Sequence, residues 1–194
     1  MKYLFTTIII AGLWVLSPIK ADQIFVDKDI YKVWYDTKLE QPTKVTYEVT
    51  NRPKNADRKG MNFHKEGMFH TSDNADYYKN IWDKGHMAPA AHFSDSQENL
   101  YETFSYLNSA LQHEKLNRGA WRFLEAAVRR WAILEDLFVE NIIWFSNAEV
   151  LPTGATVPTA FSKNITWKSG MKKCYFFEND APDMKWQEYE VQCD

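Results

Sequence analysis

Residues 82–93 read WDKGHMAPAAHF, with Lys84 and His86 on either side of a single glycine. An imidazole titrates near neutrality and can take a proton from water, and an ammonium beside it can meet a negative charge. Two later stretches carry further polar side chains. Residues 104–112 (FSYLNSALQ) hold Asn108 and Gln112; residues 116–125 (LNRGAWRFLE) put Asn117 where a helix starts and Glu125 eight residues further along. Arg129 follows Glu125 by four, so that pair also has the spacing of an ordinary surface ion pair on a helix.

Several chemistries drop out on spacing. None of the five histidines makes the His-x-x-x-His pair of a zinc hydrolase. Neither a Gly-x-Ser-x-Gly elbow nor a Gly-x-x-x-x-Gly-Lys phosphate loop is present. An isolated histidine is more often structural than catalytic, and His92 and His113 read as structural or exposed.

His86 is not isolated. DKGHMAPAAHF (83–93), preceded by NADY (74–77) and followed by LNRGAW (116–121) and VPTAFSK (157–163), gives four ordered blocks. They resemble the DNA/RNA non-specific endonuclease family (ββα-metal class, endonuclease G-like), with Lys84 in place of the Arg of its Asp-Arg-Gly-His signature. The likeness covers residues 47–166. It implies an endonuclease that cuts the phosphodiester bonds of DNA and RNA with Mg²⁺, or Mn²⁺, as cofactor. By the same resemblance His86 is the general base and Asn117 the one direct metal ligand. Glu125 holds the metal's waters, and Arg58, Lys84 and Arg129 meet phosphate charge. Asn108 and Gln112 orient the site. Three departures stand out: Lys84, a point charge where the family has a planar fork; Leu111 where the family has Pro; and a strand IIWFSNAEV lacking the family's Thr-Gly-Pro. They leave room for a catalytically weak binding module, or for a phosphodiesterase acting on smaller esters.

The elements that must position these residues follow from periodicity. Residues 24–49 alternate β-branched and aromatic side chains and predict strands, and 51–78 predict a long polar loop. A helix is expected around 96–103, capped by Ser94 or Asp95. A longer one is expected from Arg118 to about Phe138, with Asn117 as N-cap and an apolar stripe through Trp121, Leu124, Val128, Trp131, Ala132 and Leu134. Trp121 belongs to that stripe and so to the core. NIIWFSNAEVL and FSKNITW predict strands, and KKCYFFEND with WQEYEVQ predicts a hairpin. Gly85 permits a close backbone approach. Strands, a helix-rich middle and strands again indicate α+β with a mostly antiparallel sheet, a ββα-metal motif and one long core helix.

Length and composition bound the rest. The chain has 194 residues, 45% of them hydrophobic and 25% charged, enough for one globular domain over 22–194. Residues 1–21 open with Lys2, continue as an uncharged apolar run too short to span a bilayer, and end on Ala21, the pattern of a signal peptide cleaved there; with Ile19 at the third position back, an uncleaved anchor is the alternative. Export makes the protein secreted or periplasmic. There, Cys174 and Cys193 form one disulfide worth about 3 kcal/mol. Of 23 basic and 26 acidic residues, only Lys2 and Lys20 lie in the leader, so the remainder is acidic by about 5. A generic polyanion binder is basic overall. Here any nucleic-acid contact rests on local clusters: Arg52, Lys54, Arg58 and Lys59, and Lys115, Arg118, Arg122, Arg129 and Arg130.

Overall fold

A computed structural model describes residues 22–193. Residues 1–21, read from the sequence as a signal peptide, lie outside the described residues. In chain order the strands are β1 (Gln23–Asp27), β2 (Lys32–Asp36), β3 (Gln41–Val49), β4 (Trp82–His86), β5 (Ser109–His113), β6 (Leu137–Trp144), β7 (Ala160–Trp167), β8 (Lys172–Glu178) and β9 (Glu190–Val191). Seven form one sheet in the order β1-β2-β3-β6-β7-β8-β9, and β4 and β5 pair as a separate hairpin. Every pairing is antiparallel. The helices are α1 (Gln97–Glu102), α2 (Glu114–Leu116) and α3 (Arg122–Trp131), and a wide helical turn over Asn117–Trp121 joins the last two. The fold is α+β, as the sequence implies.

The period of two in the strands sends alternate side chains to one face. Val33, Tyr35, Val45, Tyr47, Val139, Ile143, Phe161 and Ile165 point into a single core, where they meet Trp121, Leu124 and Val128 of the helical arm. Burying one such side chain is worth about 1.5–3 kcal/mol. Phe25, Phe138, Trp144 and Phe176, on the other face, stay exposed. The arm and the hairpin therefore pack on the same side of the sheet.

The hairpin is held by side chains as well as by its own ladder. Gln41 is fully buried, and its Oε1 accepts from the Leu111 backbone N–H at 2.9 Å. Asn179 accepts from His113 N at 2.8 Å and donates to Leu111 O at 2.9 Å. A proline at 111 has no N–H for Gln41, so leucine there is matched to this anchor. Gly85 is required by packing: a Cβ built on it would lie 2.7 Å from Gln112 Cβ.

The helical boundaries differ from the sequence expectation. Ser96 caps α1 by accepting from Asn99 N at 3.0 Å, in place of Ser94 or Asp95. The long helix ends at Trp131 rather than near Phe138, because LFVENIIW alternates and pairs with both β3 and β7. Leu134, placed on the apolar stripe, is 90% exposed. Asn117 is not an N-cap. The helix has already begun at Glu114, capped by His113, whose Nδ1 accepts from Lys115 N at 3.1 Å. The first of the later strands stops at Trp144 rather than running to Leu151. The C-terminal hairpin pairs β8 with only two residues of β9, because Trp186–Tyr189 turns as a 3₁₀ helix. The Cys174–Cys193 disulfide closes this end, with Cα atoms 5.3 Å apart.

Candidate active site

One open cleft of about 840 Å³ lies between the β4–β5 hairpin and the helical arm. Arg58, Lys84, His86, Asn117, Glu125 and Arg129 all line it. Six of the eight residues named from the sequence thus come together. Asn108, expected in the catalytic set, does not line the cleft. It is fully buried, with Nδ2 donating to Ala88 O (2.8 Å) and Thr103 O (2.9 Å) and Oδ1 accepting from Ala88 N (2.7 Å). Both amide hydrogens and the carbonyl oxygen are engaged, so Asn108 clamps the turn that follows His86 and is buried away from any substrate. Gln112 is likewise buried, packed under Gly85.

His86 ends β4, where its backbone pairs with Ser109. Its ring packs between Phe63 and Phe104, with centroids 4.8 and 4.9 Å away, and its Nε2 is buried without a hydrogen-bond partner. Burial, and then the charge of Arg58, push its pKa down to about 3. The imidazole is therefore neutral, with a lone pair free to accept a proton. Arg58 comes from the long loop, its guanidinium 5.8 Å from the Phe104 ring centroid.

Lys84 sits in an aromatic surround, Nζ 5.5 Å from the ring centroids of Phe63, Tyr77 and Tyr106. Nζ also donates to Asn74 Oδ1, which accepts from Tyr106 Oη as well, at 2.8 Å. Asn74 opens the 3₁₀ turn Asn74–Tyr77, which Asp73 caps. The NADY block is thus the mount for the lysine.

On the opposite wall, the wide turn at Asn117–Trp121 breaks the regular helix at Gly119 (φ −107°, ψ −115°). Such widened turns recur at functional sites, because they re-aim side chains. Asn117 Nδ2 donates to Asp83 Oδ2 at 2.9 Å. Asp83 is fixed in turn by Arg118, at 2.9 and 2.7 Å, and Arg118 also reaches Glu114 at 3.1 Å. With its nitrogen so used, the Asn117 amide has its carbonyl oxygen left over. Four residues into α3, Glu125 has a buried Oε1 with no hydrogen-bond partner. Burial raises its pKa to about 7 against the pull of Lys163 and Arg129. The surface ion pair that its spacing with Arg129 allowed does not form.

Three contributors were missed from the sequence. Asp83, read only as a strand residue, orients Asn117. Lys163 is fully buried on β7, bonded to Asn141 Oδ1 (2.9 Å) and Tyr47 Oη (3.2 Å), with Nζ 4.0 Å from the Trp121 ring centroid. Burial lowers its pKa to about 8, opposed by Glu125. Asn141 donates to Met87 O at 2.6 Å, so one buried network joins the backbone after His86 to the cation behind Glu125. The signal for Lys163 was in the strand itself. In AFSKNITW it shares the parity of Phe161, Ile165 and Trp167, the face that goes inward.

Comparison with known proteins agrees with this fold. The profile of the DNA/RNA non-specific endonuclease family matches residues 16–194. The chain is 41% identical over 59 residues to the mitochondrial nuclease EXOG of Danio rerio, covering 30% of this chain and 17% of that one. It is 31% identical over 105 residues to human mitochondrial endonuclease G, covering 50% of this chain and 35% of that one. These matches span well under two thirds of the relatives' length. A crystal structure of endonuclease G in complex with its inhibitor EndoGI superposes with a TM-score of 0.75 at 26% identity, covering 87% of this chain and 80% of that one. The chain belongs to the DNA/RNA non-specific endonuclease family.

Proposed function

We propose that this chain is a Mg²⁺-dependent endonuclease that hydrolyses phosphodiester bonds in DNA and RNA. The observation that carries the reading is that one cleft brings together a neutral imidazole, three cations, an amide and a carboxylate. His86 takes a proton from water. The water oxygen bonds to phosphorus as the P–O3′ bond breaks, and the leaving oxygen is protonated from solvent, leaving a 5′-phosphate. Arg58, Lys84 and Arg129 stabilise the charge that grows on the non-bridging oxygens. Arg58 also links binding to basicity, because a phosphate seated against it offsets the charge that holds the His86 pKa down.

The donor set fits Mg²⁺. Among the described residues no group of three His, Cys, Asp or Glu side chains could hold a metal. An ion here would take a single protein oxygen, Asn117 Oδ1, and keep most of its waters, as Mg²⁺ does. The orphaned Oε1 of Glu125 would bind that hydration shell. When bound, the ion supplies Lewis-acid stabilisation of the phosphate.

The test is digestion of plasmid DNA and of RNA by purified protein, with Mg²⁺, with EDTA, and with bis(p-nitrophenyl) phosphate as a small ester. Cleavage of both polymers, lost in EDTA and restored by Mg²⁺ or Mn²⁺, is the expected result. Full digestion in EDTA contradicts it, and turnover of the small ester alone favours the phosphodiesterase alternative. We further propose export with removal of residues 1–21. The disulfide supports this, and among the described residues no helix is long and apolar enough to cross a membrane. An intact mass that retains Met1 contradicts it.

A further inference from the structure

A second hollow, of about 350 Å³, opens beside the cleft and shares Arg129 and Ala91 with it. Arg52, Lys54, Arg129 and Arg130 line it, and no Asp or Glu does. Arg52 is tied down at 3.0 Å to Asp95, and its guanidinium lies 5.3 Å from the Phe93 ring centroid, which fixes that wall. Lys54 and Arg130 are exposed and form no ion pair among the described residues. The far end of the cleft is different, since Arg118 is committed there to Asp83 and Glu114. Cationic charge free to meet an anion, which within the cleft includes Arg122, therefore continues past Arg129 into the hollow. On a chain of net charge −3, such a local concentration is what a polyanion would find.

We infer that this hollow is a subsite for a second backbone phosphate of the strand being cut, with Arg129 between the two phosphates and Lys54 and Arg130 on the outer one. The inference rests on the nuclease reading of the cleft. It makes the enzyme length-sensitive, because a phosphodiester too short to reach Lys54 and Arg130 forgoes their contacts. The contacts carry no base code, so the gain applies to all sequences alike.

The test compares wild type with Lys54→Gln/Arg130→Gln on bis(p-nitrophenyl) phosphate and on single-stranded oligonucleotides of two to twelve nucleotides, in Mg²⁺. Wild-type kcat/KM should rise by an order of magnitude or more once the oligonucleotide spans both hollows, and the double variant should lose most of that rise. Its salt slope for binding the longest strand should fall by about 0.7 for each phosphate contact removed. Both positions are exposed, and thermal midpoints matching wild type would show that the fold is intact. Wild-type length dependence in the variant, or an equal loss on the small ester and the longest strand, overturns the subsite. A wild-type protein inert toward every substrate removes the nuclease reading, and the subsite with it.

Discussion

The two walls of the cleft are held in different ways. On the hairpin wall His86 is fixed by strand register, by the Phe63 and Phe104 rings, and by amides that clamp the next turn: Asn108 to Ala88 and Asn141 to Met87. On the helical wall Asn117 and Glu125 are governed by charge, through Asp83 and Arg118 on one side and Lys163 on the other. Position on the first wall is a packing property, and on the second an electrostatic one. The walls still meet at one point, because Asn141, which bonds Lys163, also holds Met87 O on the hairpin side.

The largest effect should come from the hairpin. His86→Ala should lose about 10² to 10⁴-fold in single-turnover cleavage, the range for general-base removal, while nucleic-acid binding survives. In wild type the acid limb of kcat should lie at higher pH than that of kcat/KM, because bound phosphate offsets Arg58; coincident limbs contradict this. On the helical wall, Lys163→Met removes a buried cation while keeping most of the volume. The Mg²⁺ concentration for half-maximal rate should rise about 10 to 100-fold, with the thermal midpoint moving only a few degrees. A large fall in thermal midpoint with unchanged Mg²⁺ dependence of the folded variant would make Lys163 purely structural.

A smaller effect separates the walls by pH. The Glu125 value, about 7 in the folded protein, lies above its ordinary 4.5. Its contribution to stability is complete below 4.5 and is lost as pH rises through 7. The His86 value, about 3, lies below 6.5, so its contribution is present above 6.5 and lost as pH falls toward 3. In EDTA, Glu125→Gln should therefore remove a fall in thermal midpoint between pH 4.5 and 7, and His86→Ala should not. The smallest effect is expected from Lys84→Arg. The added guanidinium should keep activity within about threefold of wild type, whereas Lys84→Ala should slow the chemical step. A larger loss in the arginine variant would mean that the aromatic surround is shaped for an ammonium.

The hairpin wall was the more legible of the two in the sequence. Lys84, Gly85 and His86 are contiguous, and a glycine between functional residues marks a close approach, here to Gln112. Strand alternation gave the sheet and its inner face. The helical wall was only half visible. Asn117 and Glu125 fall on a helix at readable spacing, but the widened turn at Gly119 and the hold of Asp83 on Asn117 depend on the hairpin folding back across 34 residues. Lys163 was hidden by residue type, since a lysine in a strand reads as solvent-facing until parity is checked. The helix end was misread because the apolar stripe runs on through Ala132 and Leu134, while the alternation of LFVENIIW and its pairing with β3 and β7 decide otherwise. Asn108, read as orienting the site, clamps the turn that follows His86.

That the two walls act on one phosphodiester is tested most directly by a double-mutant cycle between His86→Ala and Asn117→Ala, read as the single-turnover rate on a fixed duplex in saturating Mg²⁺. Groups that serve one transition state are strongly non-additive. The double variant should therefore be scarcely slower than the worse single variant. Losses that multiply would mean that the walls contribute independently, and that the cleft is not a single catalytic site.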